Sequence, residues 1–325
     1  MIVIGREAVR AHLTWEVCIP LVREAMIALS RGVTRQLPRS IIDLDEGRAF
    51  GLMPGAMGPG QVFGAKLISV YPENFAKGVQ SHQGLVTIFE PQTGAVAAIV
   101  HAGEVTAIRT AAASAVATDA LARPEASRLA ILGYGEQARE HAHAMAQVRD
   151  LTELRVWGRS PDKAEAFARR IGDELGVAAR AASGVEAAID GADIVCATTA
   201  SVEPILLGAQ VGEGTHVNLV GSSRAGPREA DDDLVARARF FADHRQGVLL
   251  QGAEFLHAKA AGRVDDAHVL GEIGEVLDGR LAGRVSPADV TVYKSLGSIV
   301  QDLATAGWLT EAALARDFGE RVDFG

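Results

Sequence analysis

A glycine-rich turn between an apolar run and a helical pattern is the first segment whose residues could bind a ligand. The apolar run at residues 129–132 ends at Gly133-x-Gly135-x-x-Ala138, and a helical pattern follows. The first glycine permits a tight turn, the second lets a pyrophosphate approach bare backbone, and the small third residue lets the helix pack close to the strand. The helix N-terminus then faces the anion. The motif predicts the phosphate site of a dinucleotide.

The end of the next predicted strand indicates which dinucleotide would bind. An acid about 20 residues beyond the glycine motif normally binds the ribose 2′-hydroxyl of NAD. This chain has Arg159 and Ser160 there, and no carboxylate follows before Asp162. A guanidinium can bind a phosphate through two hydrogen bonds. The residues therefore favour NADP(H), with NAD(H) as the alternative.

Three basic residues in the first third of the chain lie in or beside apolar runs. Arg39 follows Pro38, Lys66 lies within the run at residues 62–70, and Arg109 lies among Ala, Ile, Val and Thr. A charge on a buried face must have a partner. Each one alone could be a surface residue or half of a salt bridge. Together they predict an anion pocket, and we expect a substrate carboxylate to occupy it.

The histidines give weaker signals. His141 and His143 are two residues apart on a predicted helix, so they point in different directions and would make a poor metal pair. His216 and His244 flank predicted strands, where packing explains them. The chain shows neither a Cys/His cluster with metal-ligand spacing nor a Ser-His-Asp signature. We expect no metal.

The composition narrows the class of protein. The chain has 325 residues, 48% of them hydrophobic, and a net charge of −9. That charge argues against a nucleic-acid or membrane-surface partner and leaves a small-molecule substrate. Cys18 and Cys196 lie far apart in apolar surroundings and predict free core thiols. Without an apolar segment long enough for a signal or a membrane span, we expect a cytoplasmic protein.

The elements that must position these residues change character near residue 120. Beyond it, short apolar strands alternate with helices, which predicts an α/β, doubly wound parallel Rossmann sheet. Before it, consecutive strands and an Ala-rich helix at 105–121 predict a smaller α+β domain, and one uncovered face of its sheet suggests dimerisation. We expect a substrate-binding and dimerisation domain at 1–120, the Rossmann domain at 121–298, and C-terminal helices at 299–325 that could return to the first domain. The predicted strands lie at 51–53, 61–70, 84–89, 95–100, 128–132, 153–157, 178–181, 193–197, 216–220 and 239–242, and the predicted later helices at 137–148, 161–175, 185–189, 231–238, 290–306 and 310–317.

Four segments together resemble the ornithine cyclodeaminase/mu-crystallin family: residues 81–94, residues 105–115, the Gly-Tyr-Gly-Glu-Gln-Ala turn, and residues 291–302. The resemblance covers nearly the whole chain and implies a homodimer whose N-terminal domains join their sheets. It implies that Arg39, Lys66 and Arg109 bind the substrate carboxylate, and it places His82 beside that site. The family's cofactor-binding positions match Thr110, Gly135, Gln137 and Ala138 around the pyrophosphate, Thr198 and Thr199 after the fourth Rossmann strand, and Val220, Ser295 and Leu296 near the nicotinamide.

Ser223 departs from the cyclodeaminase pattern. In the family's ornithine cyclodeaminases, the matching residue is an Asp that engages the ornithine amine and acts in deamination and ring closure. A serine hydroxyl can neither hold an ammonium by charge nor act as a base near neutrality. The local Gly-Ser-Ser-Arg is closer to the Gly-Ala-Ser-Arg of the mu-crystallin branch, which resembles ketimine reductases. Ornithine cyclisation is therefore disfavoured.

These observations predict an NAD(P)H-dependent reductase of small cyclic ketimine carboxylates, of the pyrroline-2-carboxylate or piperideine-2-carboxylate type. The candidate catalytic residues are Arg39, Lys66, Arg109 and Ser223. The two arginines would clamp the carboxylate, and Lys66 would bind it or relay a proton. Correct positioning of the substrate against the nicotinamide would supply most of the rate enhancement. The alternatives are ornithine cyclodeaminase, a dehydrogenase that forms alanine or an N-substituted amino acid, and an NADPH-dependent binding protein for a small ligand.

Overall fold

The computed structural model describes residues 1–45 and 47–324, and the chain divides into two compact units. The first unit combines Met1–Arg109 with the segment that starts at Ser298. Its elements, in chain order, are β1 (Ile2–Ile4), α1 (Arg6–His12), α2 (Trp15–Ser30), β2 (Arg35–Gln36), β3 (Ser40–Asp43), β4 (Ala49–Ala56), β5 (Phe63–Val70), β6 (His82–Phe89), β7 (Val96–His101) and the beginning of α3 (Ala102–Leu121).

The second unit, Thr110–Gly297, begins within α3. Its further elements are β8 (Arg128–Leu132), α4 (Glu136–Met145), β9 (Glu153–Trp157), α5 (Pro161–Leu175), β10 (Ala178–Ala181), α6 (Val185–Ile189), β11 (Ile194–Ala197), β12 (His216–Leu219), α7 (Asp232–Arg237), β13 (Arg239–Ala242), α8 (Arg245–Gln251), α9 (Ala253–Ala260), β14 (Val269–Glu272), α10 (Ile273–Leu277) and β15 (Thr291–Lys294). The chain then returns to the first unit through α11 (Ile299–Arg316) and β16 (Glu320–Arg321). Short 3-10 helices lie at Pro72–Lys77, Gly208–Gln210 and Asp266–His268.

The first unit is built on a mostly antiparallel sheet. Its strand order is β16-β1-β7-β6-β5-β4-β2, with β3 also paired to β4, and β1 runs parallel to β7. The long helix α11 packs on β4 to β7 and against α2. Strand β5 alternates, so that Gly64, Lys66 and Ile68 share its buried face. This alternation places the amine of Lys66 inside the unit instead of in water.

The second unit is built on a parallel sheet in the order β10-β9-β8-β11-β12-β15-β13-β14. Every neighbouring pair in it is parallel. Helices connect successive strands, and the central strands β11 and β12 are buried along their whole length. The predicted α/β class with a doubly wound parallel sheet is confirmed. The carboxyl ends of these strands and their following loops form the edge at which such sheets bind nucleotides.

The predicted helix at 290–306 is wrong before residue 299, where α11 begins. Residues 291–294 form β15 and pair with β12 and β13, because the β-branched Thr291 and Val292 suit a buried parallel strand. Gly297 then turns the chain with a φ of +83°, a conformation that favours glycine. Ser298 starts α11 by accepting a hydrogen bond from the Val300 amide. The second predicted helix, at 310–317, is the continuation of α11.

The division between the units falls between Arg109 and Thr110, inside α3, instead of near residue 120. Helix α3 is buried almost all round, and its alanine-rich surface has no polar stripe that would mark a boundary. Cys18 and Cys196 are buried free thiols. None of the helices in the described part of the chain combines the length and apolarity that a membrane crossing requires.

Candidate functional site

Two basic side chains of the first unit converge on one buried carboxylate. Lys66 Nζ on β5 and Arg109 Nε on α3 each lie 3.0 Å from Asp302 Oδ1 on α11. Arg109 also donates to Gln301 Oε1 at 2.9 Å. The exposed fractions are 2% for Lys66, 4% for Arg109 and zero for both Gln301 and Asp302. We call these four residues the cation cluster.

The cation cluster carries more positive than negative charge. Burial and the charges of Arg109 and Arg39 lower the pKa of Lys66 to about 8, although Asp302 opposes the shift. Burial alone would raise the pKa of Asp302, but Arg109 and Lys66 outweigh it and lower that pKa. At pH 7 two cations therefore share one anion. A buried excess of positive charge is expensive unless a second anion balances it.

Two polar atoms of the cation cluster lack a hydrogen-bond partner among the described residues. They are Gln301 Nε2, a donor, and Asp302 Oδ2, an acceptor, and both atoms are buried. A ligand carboxylate would accept from the amide of Gln301 and supply the missing negative charge. A ligand N–H would suit the free oxygen of Asp302. The cluster can therefore bind a molecule that combines a carboxylate with an iminium or an ammonium.

Arg39 and His82 lie within electrostatic reach of the cation cluster. Arg39 is half-buried before β3, and His82 opens β6 with its Nδ1 2.9 Å from Ser81 Oγ. Packing around the His82 ring, together with the charges of Lys66, Arg109 and Arg39, lowers its pKa to about 4, although the residue as a whole is exposed. His82 is thus neutral at pH 7, and its ring can donate or accept a hydrogen bond.

Asp302 and Gln301 were missed as site residues from the sequence. Both lie in the segment at 291–302, where the family resemblance implies only the nicotinamide neighbours Ser295 and Leu296. The available signal was the carboxylate of Asp302 beside the apolar residues Val300 and Leu303, since a buried charge needs a partner. The partners Lys66 and Arg109 are 236 and 193 residues away in the chain, so spacing could not pair them.

The glycine motif of the second unit forms a tight cradle. Gly133 has a φ of +124°, and a Cβ on it would lie 2.9 Å from Thr198 Oγ1. Gly135 is extended and precedes the first residue of α4, so the amides of that helix start open towards the loop. Ala138 is fully buried. Gln137 Oε1, an acceptor, is buried without a hydrogen-bond partner in the described chain.

The loops after the neighbouring strands surround this cradle. Thr198 donates through its hydroxyl to Leu132 O, and Thr110 and Val220 are buried. Ser295 is also buried, and its Oγ has no hydrogen-bond partner within the described residues. Asp243, which the sequence did not single out, accepts hydrogen bonds from Leu296 N at 2.7 Å and Gly297 N at 2.6 Å. It holds the loop that carries Ser295 and Leu296. These residues fit a dinucleotide.

Arg159 and Ser160 lie where the sequence predicted, between β9 and α5. The Arg159 side chain is exposed, and Ser160 is the residue before α5 whose hydroxyl makes no capping hydrogen bond. The ring of Tyr134 packs on Gly158, where a Cβ would come within 2.2 Å of it. This contact leaves the backbone before Arg159 close to the glycine motif. A guanidinium and a hydroxyl are thus both available to a phosphate.

Ser223 lies half-buried in the loop after β12. The neighbouring Ser222 hydroxyl donates to Arg224 O at 3.1 Å and shapes this loop. Ser223 belongs to the second unit, whereas the cation cluster belongs to the first. Its hydroxyl is neutral, so Ser223 cannot stabilise a bound ammonium group by charge.

Four further histidines have structural partners. His141 is buried between Gln137 O and Ser114 Oγ, and His143 pairs with Glu174. His216 lies 2.9 Å from Thr291 Oγ1, and His244 caps α8. Within residues 1–45 and 47–324, no group of three or more His, Cys, Asp or Glu side chains could hold a metal ion.

Several known proteins are similar to this chain in sequence and in fold. The model of the ornithine cyclodeaminase/mu-crystallin family matches residues 2–317. Ketimine reductase mu-crystallin of Mus musculus is 33% identical over 308 residues, which are 93% of this chain and 94% of that protein. The structure of Thermococcus litoralis Delta(1)-pyrroline-2-carboxylate reductase in complex with NADH and L-proline has a TM-score of 0.96 at 30% identity and covers 99% of this chain and 100% of that chain. An archaeal alanine dehydrogenase dimer with bound NAD has a TM-score of 0.94 at 27% identity, with 100% and 99% covered.

Proposed function

Because this chain belongs to the ornithine cyclodeaminase/mu-crystallin family, we propose that it is an NAD(P)H-dependent reductase of small cyclic ketimine carboxylates. The observation that carries this proposal is the cation cluster, whose buried excess of positive charge and unpaired Gln301 amide suit a substrate carboxylate. The names of similar proteins support the reaction class, since they include a ketimine reductase and a pyrroline-2-carboxylate reductase.

The substrate carboxylate binds in this proposal to Arg109, Lys66 and Arg39. Arg109 already uses Nε for Asp302 and one terminal nitrogen for Gln301, so its position is fixed before substrate arrives. Such preorganisation lowers the entropy lost on binding and orients the C=N carbon. The free Oδ2 of Asp302 is the acceptor available to the iminium N–H. His82, neutral at pH 7, adds an uncharged hydrogen-bonding group.

The reaction needs little acid catalysis from the protein. A cyclic ketimine that binds in its protonated form already carries the proton that the amine nitrogen keeps in the product. The bound nicotinamide supplies a hydride, which adds to the C=N carbon and converts the bond to CH–NH. Lys66 remains mostly protonated at pH 7 with a pKa of about 8, so its task is to hold the carboxylate. Asp302 stabilises the positive charge of the iminium while it is bound.

The cofactor is held by the glycine motif and the strand-end loops of the second unit. Gly133, Gly135, Gln137 and Ala138 bind the pyrophosphate together with Thr110. Thr198 and Thr199 follow β11, and Val220, Ser295 and Leu296 surround the nicotinamide. We propose that NADP(H) is preferred, because Arg159 and Ser160 replace the acid that would bind a free ribose 2′-hydroxyl. The solved relatives hold NADH or NAD, so NAD(H) remains the alternative.

A homodimer is the proposed assembly. The edge strand β3 is exposed along its whole length, with Ile42 at 60%, and Leu37 just before it is 68% exposed. Exposed apolar residues on an unpaired edge attract another chain. A similar alanine dehydrogenase forms a dimer. We also propose a cytoplasmic location, which suits the free thiols of Cys18 and Cys196.

A dehydrogenase that forms alanine or another simple amino acid is the second candidate. The cation cluster recognises the 2-imino carboxylate group, which open-chain and cyclic imines share, and a similar protein is an alanine dehydrogenase. Oxidation of NADPH and NADH with pyrroline-2-carboxylate, piperideine-2-carboxylate, or pyruvate plus ammonia or methylamine separates the two. Faster turnover of the cyclic ketimines supports the proposal. Turnover confined to pyruvate plus an amine would favour the dehydrogenase, and cofactor binding without oxidation would indicate a binding protein.

A further inference from the structure

The buried carboxylate of Glu229 joins two loops of the second unit. Its Oε1 accepts hydrogen bonds from Thr199 N at 2.5 Å and Thr199 Oγ1 at 2.7 Å, and its Oε2 accepts from Gly221 N at 2.7 Å. Thr199 follows β11, and Gly221 follows β12, its parallel neighbour. One side chain therefore ties together two loops at the carboxyl edge of the sheet.

The two loops are in direct contact. A Cβ on Gly221 would lie 1.9 Å from Thr199 O and 2.6 Å from the carboxyl carbon of Glu229. Only glycine fits at this position without a shift of the backbone. Glu229 itself is fully buried, so its carboxylate oxygens depend on these protein donors. The relative position of the loops thus depends on three charge-assisted hydrogen bonds to one carboxylate.

A buried ion pair extends this arrangement to a third loop. Glu254 Oε1 on α9 accepts from the Glu229 amide at 3.2 Å, and Glu254 Oε2 lies 2.7 Å from Lys294 Nζ. Lys294 ends β15 and directly precedes Ser295. All three charged side chains are fully buried. Buried ion pairs add little net stability, and one recognised reason to keep them is conformational specificity.

We propose that Glu229 is a positioning residue that sets the geometry of the loops binding the nicotinamide end of the cofactor. This rests on the proposed function, because the same loops carry Thr199 and Val220. Glu229 acts through backbone amides and a hydroxyl and makes no contact of its own with substrate. Burial raises its pKa to about 6, against the lowering effect of the Thr199 hydrogen bonds and of Lys294. At pH 7 the carboxylate is therefore mostly ionised and acts as an acceptor only.

Glu229→Gln tests this assignment with little change in volume. An amide has one acceptor oxygen, so its NH2 group must face either Thr199 N or Gly221 N, which are both donors. Asp193→Asn is the matched control, since Asp193 also accepts from backbone amides, those of Ser127 and Arg128, but precedes β11 at the opposite edge of the sheet. NADPH affinity is measured by fluorescence titration, and amide protection of both loops is measured by hydrogen exchange.

We expect Glu229→Gln to raise the NADPH Kd at least about tenfold, the effect of a lost charge-assisted hydrogen bond, and to speed exchange at 199–201 and 221–223. Asp193→Asn should lower the Tm with an unchanged Kd. If Glu229→Gln does not fold, Glu229→Asp decides, because its shorter side chain keeps the charge but cannot span both loops. If a folded Glu229 variant binds NADPH with the native Kd, the positioning role of Glu229 is wrong, and the proposed function is unaffected. Failure of the native protein to bind NADPH or NADH overturns the proposed function and this assignment with it.

Discussion

Lys66 on β5 lies 3.0 Å from Asp302 on α11, although 236 residues separate them in the chain. Both side chains are buried, and Arg109 shares the same Asp302 oxygen. The last helix therefore belongs to the first unit for a chemical reason as well as for packing, because its Asp302 is the counter-charge of two buried cations. The substrate site we propose is complete only when the two ends of the chain are folded together.

Asp302→Asn should destabilise the protein. Removing one partner from a buried ion pair leaves uncompensated charge, and the cost is about 3–5 kcal/mol. Asp266→Asn serves as the control, because Asp266 pairs with Lys259 at an exposed site, where such pairs contribute about 0–1 kcal/mol. Urea unfolding monitored by circular dichroism measures both. If Asp302→Asn lowers the free energy of unfolding as little as Asp266→Asn does, then Asp302 does not stabilise the cation cluster by balancing its charge.

Arg109→Ala should raise the KM for the ketimine and lower kcat, because the clamp both binds and orients the carboxylate. NADPH affinity should change little. The variant also loses the contacts to Asp302 and Gln301, so its fold must be verified by its Tm and its NADPH Kd before kinetics. Unchanged turnover in a folded variant would make Arg109 structural and place the anion site elsewhere.

Carboxylate binding should weaken as the pH rises through about 8. The folded pKa of Lys66 lies near this value, below its ordinary 10.5, so Lys66 loses its charge there. Furan-2-carboxylate is a suitable competitive inhibitor, since its own charge is constant between pH 7 and pH 9. Its inhibition constant should rise over this range in the native protein and stay flat in Lys66→Arg. A flat native profile would contradict the role of Lys66.

The lowered pKa of Lys66 also affects the stability of the fold. Carboxylate binding weakens as the pH rises, whereas the contribution of Lys66 to stability increases. Between about pH 8 and its unfolded pKa near 10.5, Lys66 binds more protons in the unfolded chain than in the folded one. Its contribution to the free energy of unfolding therefore becomes more favourable as the pH rises through this window. Asp302 acts at the acid end: its lowered pKa means that stability is lost as the pH falls below its ordinary value of 3.8.

NADPH should bind more tightly than NADH, because Arg159 and Ser160 are free to meet a 2′-phosphate. Arg159→Ala should narrow the difference by about 1–3 kcal/mol, the range for a hydrogen bond to a charged group. Arg169→Ala, on the exposed surface of the same helix α5, is the control and should leave both affinities as they are. Fluorescence titration of the three proteins with NADPH and with NADH gives the six dissociation constants. Equal native affinities for the two cofactors would remove the argument from Arg159.

Sequence reasoning succeeded where local patterns decide the structure. The strands Arg128–Leu132 and Glu153–Trp157 lie at their predicted positions, since short apolar runs that end at glycine turns are typical of buried parallel strands. The family and the fold class are confirmed as well. In the first unit the helices α1 and α2 and the edge strands were not predicted. Their apolar positions are mixed with charges, and in α2 a proline interrupts the pattern.

The residues missed from the sequence are those defined by distant partners. Asp302 acquires its role from Lys66 and Arg109, and Glu229 from Thr199 and Gly221. None of these pairs shares a helix face or a strand register, so no periodicity links them. The position of the boundary inside α3 could not be predicted for a related reason. Which part of a uniformly buried helix belongs to which unit depends on the neighbours that fold around it.

The reaction class turns on Ser223. A neutral hydroxyl offers the ornithine amine an ordinary hydrogen bond, weaker than a carboxylate's by about 1 kcal/mol or more before any role as a base is counted. Ser223→Asp should weaken ketimine reduction, because a second carboxylate would repel that of the substrate. If ketimine reduction survives in Ser223→Asp at the native rate, Ser223 lies away from the reacting atoms.

The most direct test of the proposed reaction measures the native protein with two substrates in parallel. One assay follows NADPH oxidation with pyrroline-2-carboxylate or piperideine-2-carboxylate, and the other follows release of ammonia and proline from ornithine with NAD present. The cation cluster together with Ser223 predicts steady turnover in the first assay and no measurable product in the second. Robust ammonia release from ornithine, with no oxidation of NADPH by either ketimine, would contradict the proposed function and identify a cyclodeaminase.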